Sequence, residues 1–402
     1  MRQIYITGYG GPEKLQIRES PDPQPQGNQL RIRVKASGIN FADILARQGL
    51  YPDAPKAPCV VGYEVSGSVD AAGPNARQDW IGRDAFALAR FGGYADTVVV
   101  PETQVFAKPA SLSHEQCAAI PVNYLTVWQL LVVMGSLSSD ETVLIHNAGG
   151  GVGLAAIDVA RHIGARIIGT ASAGKHAFLK QRGLNEAIDY RSQDWSSELS
   201  RLTDGRGVEL IIDPIGGSHW KKSYKALRST GRLGVFGVSA ASDSGKLASL
   251  KLLGTALSMP FFHPLSLMNQ NRGVFGVNMG HLWHEPEKIR AWADLLLQGV
   301  AAGWVRPHVD TAFPFDRVGE AHAHLEARKN IGKVVLTPTP WLRRGTAGNS
   351  SDQDDDDAGL LAGFHVAIRV GDFFERISAI DNRAISPGRH PVAKVGEELK
   401  NS

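Results

Sequence analysis

The chain is poor in cysteine: its 402 residues hold only Cys59 and Cys117. Two thiols can build neither a disulfide framework nor a four-thiolate zinc site. An excess of either charge is also missing. With 43 Lys and Arg against 40 Asp and Glu, the formal net charge is +3, far from the basic bias of a nucleic-acid binder. No run of about 18 or more apolar residues occurs, which argues against a transmembrane segment. The opening MRQIYITGYGGPEKL lacks a basic stretch followed by an apolar one, so no secretory signal is expected. These absences point to a cytoplasmic chain with no nucleic-acid partner. What the chain does have is glycine, 44 residues of it, and a 43% hydrophobic fraction. That fraction is ample for a core, and the length is that of two or three domains.

The rhythm of the sequence changes along its length. Residues 1–121 mix short runs with Gly and Pro punctuation, among them Leu30–Ala36, Val60–Val69 and Tyr94–Val100. Such period-2 runs indicate a partly antiparallel, β-rich domain. Residues 122–285 alternate strand and helix instead. Thr142–Asn147, Arg166–Thr170, Val208–Asp213, Arg232–Val238 and Gly273–Asn278 read as buried strands, and Val152–Ile163 has helical spacing. Alternation of this kind implies right-handed βαβ units on a parallel sheet, hence an α/β fold. Residues 286–340 hold a helical stretch and the strand Lys333–Leu336, a piece expected to rejoin the first domain. Residues 341–402 open on GNSSDQDDDDAG, the composition of a solvated linker, and are expected to be mostly disordered.

Between the strand Thr142–Asn147 and the following helix lies Ala148-Gly149-Gly150-Gly151-Val152-Gly153. Small residues there let backbone N–H groups approach a pyrophosphate, and the helix N-terminus adds favourable dipole charge. A tight turn with no ligand would read the same in isolation, but strand before, helix after and further βαβ units favour a dinucleotide. The next strand ends GTASAGK, with no acid to hold a ribose 2′-hydroxyl. Ser172 and Lys175 suit a 2′-phosphate instead, which favours NADPH over NADH. Gly237 and Val238 end a later parallel strand, where ligands of such sheets gather.

The order of these parts resembles the medium-chain dehydrogenase/reductase superfamily, in its zinc-free quinone oxidoreductase (zeta-crystallin-like) branch. The residues that carry the likeness are ASGINFAD at 36–43, GLYP at 49–52, PCVVGYEVSG at 58–67, DETVLIHNAGGGVG at 140–153, IDPIGG at 212–217, GRLGVFG at 231–237 and NIGKVVL at 330–336. VNYLT at 122–126 and RPHVDTAFPF at 306–315 look nearest to the vesicle amine transport protein subgroup. The resemblance implies a doubly wound Rossmann sheet at 122–285 and a β-rich GroES-like catalytic domain at 1–121, completed by 286–340. It places Thr126 at the nicotinamide end, Tyr190 near the adenosine phosphate and Asn330 closing on the cofactor. Asn40, Tyr51 and Tyr63 are placed at the substrate. Asp158 stands where the branch usually has Gln, and is expected to face the helix surface. Relatives also pair the edge strand across a two-fold axis, so a homodimer is expected.

Zinc-dependent relatives place Cys and His ligands where this chain has Ile39 and Tyr63. Thirteen His residues make chance ligands possible, and His281 and His284 share an HxxH spacing, but that pair falls in a loop just after the last strand of the parallel sheet, so no metal is expected. Without zinc, alcohol oxidation has nothing to stabilise an alkoxide. A quinone or enone is an easier partner, because its conjugation spreads the incoming charge and one hydrogen-bond donor suffices. The resemblance therefore implies an NADPH-dependent quinone or enone reductase. An enoyl reductase on longer acyl chains, or a cofactor-binding protein with little turnover at a membrane surface, would share these motifs.

Overall fold

A computed structural model describes residues 1–242 and 254–338; the expectations for 341–402 lie outside the described residues. Two sheets dominate. The first has seven strands, six of them in one path from Val309–Pro314 through Lys333–Thr337, Gln29–Ile39, Glu64–Ala72 and Asp84–Leu88 to Val105–Ala107, with the seventh, Thr97–Pro101, paired to Gln29–Ile39 off that path. Only the pair Val309–Pro314 and Lys333–Thr337 is parallel. A two-stranded antiparallel ribbon, Arg2–Ile6 with Leu15–Glu19, stands beside it.

The second sheet has six strands, all parallel: Glu186–Asp189, Arg166–Ala171, Thr142–Ile145, Val208–Asp213, Leu227–Val235 and Gly273–Gly276 in spatial order. In chain order this is 3-2-1-4-5-6, the doubly wound arrangement. The crevice beyond Thr142–Ile145 and Val208–Asp213, where the order reverses, is where such sheets bind ligands. Near-continuous apolar strands such as TVLI and VELIID are what burial on both faces demands. Gly273–Gly276 is an edge, as expected, though it stops two residues short of Asn278. The strand expected at 232–238 runs Leu227–Val235, so Gly237 and Val238 lie in the loop beyond it.

One core cluster joins Phe86, Leu88 and Phe106 of the first sheet to Val143, Ile145 and Leu154 of the second half. Ile289, Ala293 and Leu296 of helix Pro286–Ala301 belong to this cluster too. The later strands Val309–Pro314 and Lys333–Thr337 are what return to the seven-stranded sheet. Among the described residues, the helical run His114–Val133 has the length and apolarity of a membrane span. As 72% of its most apolar window is buried within the fold, it is accounted for as a core helix.

Asp158 corrects the sequence reading. It does not face the surface: it is 1% exposed. Helix Gly151–Ile163 is covered on most of its girth, with every residue from Gly153 to Ala160 buried. The Asp158 carboxylate accepts hydrogen bonds from the Tyr124 hydroxyl at 2.7 Å, Arg182 Nη2 at 2.6 Å and Arg306 Nη2 at 2.8 Å. A Gln could not balance two guanidinium groups, so Asp at this position belongs with Arg182 and Arg306.

Candidate functional site

The glycine-rich turn opens helix Gly151–Ile163, and no side chain caps it. Its first-turn amides therefore remain available to an anion. Gly153 is obligatory on steric grounds: a Cβ there would sit 2.5 Å from the carbonyl oxygens of Asn147 and Ala148. A Cβ on Gly151 would meet Asn123 Nδ2 at 2.7 Å. The return segment closes on the turn, where Gly332 N donates to Gly149 O at 2.9 Å. Ala148 is fully buried, while Gly150, Gly151 and Val152 keep partial exposure at the helix start.

Lys175 lies across this turn. Its Cδ would be 2.7 Å from a Cβ on Gly149, and its Nζ donates to Arg328 O at 2.9 Å and Asn330 O at 2.5 Å. Partial burial lowers its pKa below the ordinary lysine value. Ser172 begins the loop between strand Arg166–Ala171 and Lys175. Tyr190 follows strand Glu186–Asp189; burial opposes its ionisation, but hydrogen bonds from Arg191 and Arg328 outweigh that and lower its pKa. Arg191 and Arg328 were missed by sequence reasoning. They come from distant parts of the chain, and no local pattern announces their meeting beside Lys175. Asn330 is buried, and its Nδ2 donates back to Gly332 O at 2.7 Å, which shapes the returning turn. Thr126 is 7% exposed in helix Pro121–Val127. Val238 packs against Gly216, whose Cβ would meet its Cα at 3.1 Å; Gly216 has φ +90°. The glycine-rich turn and the basic cluster thus stand together, with Thr126, Gly237 and Val238 in neighbouring elements.

A separate cleft of ≈ 380 Å³ is lined by Tyr51, Tyr63, Arg90, Phe91, His281 and Trp283 among others. The rings of Tyr51 and Tyr63 meet edge to face at 6.2 Å, and Phe91 lies 5.3 Å from Tyr63. Burial pushes the Tyr51 phenol up to about 12 and raises that of Tyr63 further, with the nearby Asp43 charge acting the same way on Tyr63. Both phenols therefore stay protonated at neutral pH. The Tyr63 hydroxyl is buried and has no geometrically sound hydrogen-bond partner. Its neighbour is the Tyr51 phenol, a weak partner that an incoming oxygen could replace.

Asn40 does not present a free amide to this cleft. Lys333 Nζ donates to its Oδ1 at 2.6 Å and its Nδ2 donates to Glu64 Oε1 at 3.0 Å. Glu64 also pairs with Lys333 and accepts from Val122 N at 2.8 Å. Asn40 is thus a tie between Lys333 and Glu64 of the first sheet, engaged on both sides of its amide.

Of the HxxH pair, His281 Nε2 sits 2.9 Å from Asp53 Oδ2 with its side chain 65% exposed, and His284 lines the same cleft. Among the described residues, His146, Asp213 and His219 are the group whose donor atoms lie close enough to share an ion. Burial holds His146 at about 3, so it is neutral. Sequence spacing gave no hint of this meeting, because parallel pairing, not local sequence, brings the strand ends together.

Two family models match: alcohol dehydrogenase GroES-like domain over residues 26–110 and zinc-binding dehydrogenase over residues 151–297. The human synaptic vesicle membrane protein VAT-1 homolog is 35% identical, over 85% of this chain and 87% of that protein. A quinone oxidoreductase of Pseudomonas aeruginosa is 32% identical, over 84% of this chain and 99% of its own length. The crystal structure of Escherichia coli quinone oxidoreductase complexed with NADPH superposes with a TM-score of 0.74 at 29% identity, covering 84% of this chain and all of that one. With its GroES-like segment, doubly wound sheet and glycine-rich turn, the chain is a member of the medium-chain dehydrogenase/reductase superfamily, close to the VAT-1 homologues and quinone oxidoreductases.

Proposed function

We propose that the chain is an NADPH-dependent reductase that delivers hydride to a quinone or an α,β-unsaturated carbonyl without zinc. The observation that carries this reading is the Tyr63 hydroxyl, a buried, protonated donor held beside the Tyr51 phenol without a hydrogen bond of good geometry, in a cleft walled by Tyr51, Phe91 and Trp283. Bound NADPH would supply the hydride. Tyr63 would donate to the acceptor oxygen as charge develops there, and the aromatic walls would orient a flat conjugated ring and exclude water. The cofactor's pyrophosphate would lie on the turn Ala148–Gly153, and Lys175 with Ser172, joined by Arg191 and Arg328, would hold the 2′-phosphate. Tyr190, Asn330, Thr126, Gly237 and Val238 would complete the binding track.

A zinc-free reading is supported by the residues at the positions of the relatives' ligands: Ile39, 2% exposed and apolar, and the phenol Tyr63. A cleft of ≈ 380 Å³ suits a small acceptor better than a long acyl chain. The division of labour is then a GroES-like catalytic part, 1–121 with the return 286–340, and a cofactor part, 122–285. The enzyme would be cytoplasmic and homodimeric. The unpaired edge Gly273–Gly276 and the exposed Leu257, Phe261, Leu265 and Met268 next to it in the chain support the dimer.

The test is NADPH oxidation by the purified chain with 9,10-phenanthrenequinone, a simple benzoquinone and a 2-enone. Acceleration by at least one acceptor is expected. None by any would replace the reductase with a binding role. Lys175→Ala should weaken NADPH about ten- to a hundredfold and NADH little, because one charge-assisted contact to the 2′-phosphate is worth roughly 1.5–3 kcal/mol. Equal weakening would remove the 2′-phosphate assignment.

A further inference from the structure

A second polar centre lies outside the reductase cleft and shares no residue with it. Strand Thr142–Ile145 runs directly into His146, and the neighbouring strand Val208–Asp213 ends on Asp213. Helix Ser218–Lys225 brings His219 into its first turn and Ser223 one turn later. The three elements therefore aim one imidazole, one carboxylate and a second imidazole at one point beneath the sheet's switch point. His146 and Asp213 are 1% and 0% exposed. The donor atoms of the three residues all lie within 4.8 Å of one another.

We propose that His146, Asp213 and His219 form a binding site for one divalent transition-metal ion of the zinc class.

The geometry is close to what such an ion requires. His219 Nδ1 is 2.6 Å from Asp213 Oδ2. Ser223 Oγ is 2.7 Å from Asp213 Oδ2, 3.2 Å from His146 Nε2 and 3.5 Å from His219 Nδ1. The hydroxyl marks the point on which the donors converge; rotation about its Cα–Cβ bond turns it from a bridge between them into a fourth ligand. Around zinc, N and O ligands at about 2.0–2.2 Å stand roughly 3.3 Å apart, so the donors need to shift by well under a side-chain length.

The outer shell that orients metal ligands is already built. Thr170 Oγ1 lies 3.1 Å from His146 Nδ1, which leaves Nε2 turned to the centre. Ile215 N donates to Asp213 Oδ1 at 2.8 Å, leaving Oδ2 turned inward. The ring of Trp195 packs 4.6 Å from His146 and 5.2 Å from His219, keeping bulk water from that side. An entry path also exists. A surface pocket of ≈ 450 Å³, lined by Gly216, Gly217, His219, Ala240 and Ser258 among others, reaches the His219 side chain, itself 20% exposed. Two imidazoles and a single carboxylate select zinc, cobalt or nickel over magnesium or calcium, which demand oxygen-rich shells. Since none of the three donors lines the Tyr51–Tyr63 cleft, the ion would clamp the two strand ends to the helix and take no part in hydride transfer.

The experiment uses the full chain, stripped with a chelator and dialysed. Cobalt(II) alone is titrated while visible d–d absorption is read, and zinc(II) is then titrated by calorimetry. One equivalent per chain is expected, together with a rise in melting temperature. His219→Ala, at the pocket-facing edge, should fold and lower the affinity at least about tenfold. Asp213→Asn should do the same. The double variant His281→Ala/His284→Ala should bind as the parent does. The proposal falls if the parent takes up no ion, if His219→Ala leaves affinity unchanged, or if binding disappears in the His281/His284 variant.

Discussion

Two buried polar networks, one in each half of the molecule, differ in how they balance charge. Beside the first sheet, Asp43 and Glu64 are both 0% exposed; Lys333 contacts Glu64 and Asn40, and its charge also acts on Asp43. The remaining carboxylate capacity goes largely to neutral donors: Asp43 accepts from Asn40 N at 2.8 Å, Gly62 N at 3.1 Å and the Tyr94 hydroxyl at 3.2 Å. In the second half, the single carboxylate of Asp158 meets two guanidinium groups and a phenol. The first network therefore carries acid in excess and the second carries base in excess. Both fasten the returning segment, through Lys333 in one case and Arg306 in the other. Polar residues in either network that look chemically capable are engaged on several sides, whereas Tyr63 makes no hydrogen bond of good geometry.

The largest effect is expected where charge is most concentrated. Asp158→Ala would leave Arg182, 9% exposed, facing Arg306 with no counter-charge. Removing one member of a buried pair costs about 3–5 kcal/mol, read as a lower urea midpoint. A loss under about 1 kcal/mol would show that solvent reaches Arg306 and compensates, and the contrast between the networks would vanish. Next in size is Tyr63→Phe. Deleting a donor aimed at a developing oxyanion lowers kcat/KM about a hundredfold, near 2.7 kcal/mol. Because the hydroxyl makes no hydrogen bond of good geometry, only a weak contact with Tyr51, the melting temperature should stay close to the parent's. A fall in stability with activity intact would make Tyr63 one more structural phenol.

The sheet class, the glycine turn and most strand positions were legible because their causes are local. Continuous apolar runs mark buried parallel strands, and close backbone approach at Gly153 admits no other residue. What escaped depends on meetings between distant segments. Asp158 looked like a surface residue because helical periodicity cannot report that Tyr124, Arg182 and Arg306 converge on it. The strand Val309–Pro314, half-buried over most of its length, showed no clean alternation to reveal it. Asn40 sits in the motif that carries the family likeness, yet Lys333 and Glu64 decide its state. The same holds for His146, Asp213 and His219, which no spacing rule would group.

The smallest effect separates the networks by pH. Burial raises the Asp43 carboxyl from 3.8 to about 7, against the pull of its backbone hydrogen bonds and the Lys333 charge. In the unfolded chain it ionises near the ordinary value, so between about pH 4 and 7 the folded state holds more proton than the unfolded one. Stability contributed by this group is therefore complete below the unfolded pKa and is lost as pH rises towards 7, at no more than about 1.4 kcal/mol per pH unit. Asp43→Asn removes the titration and keeps an acceptor for Gly62 N. Its offset from the parent at one pH says little, since Asn40 N loses its carboxylate; the slope is the readout. Chemical denaturation at pH 5, 6 and 7 should show the variant gaining on the parent at each step. Parallel curves would mean that Lys333 keeps Asp43 ionised throughout, and that the first network is as charge-balanced as the second.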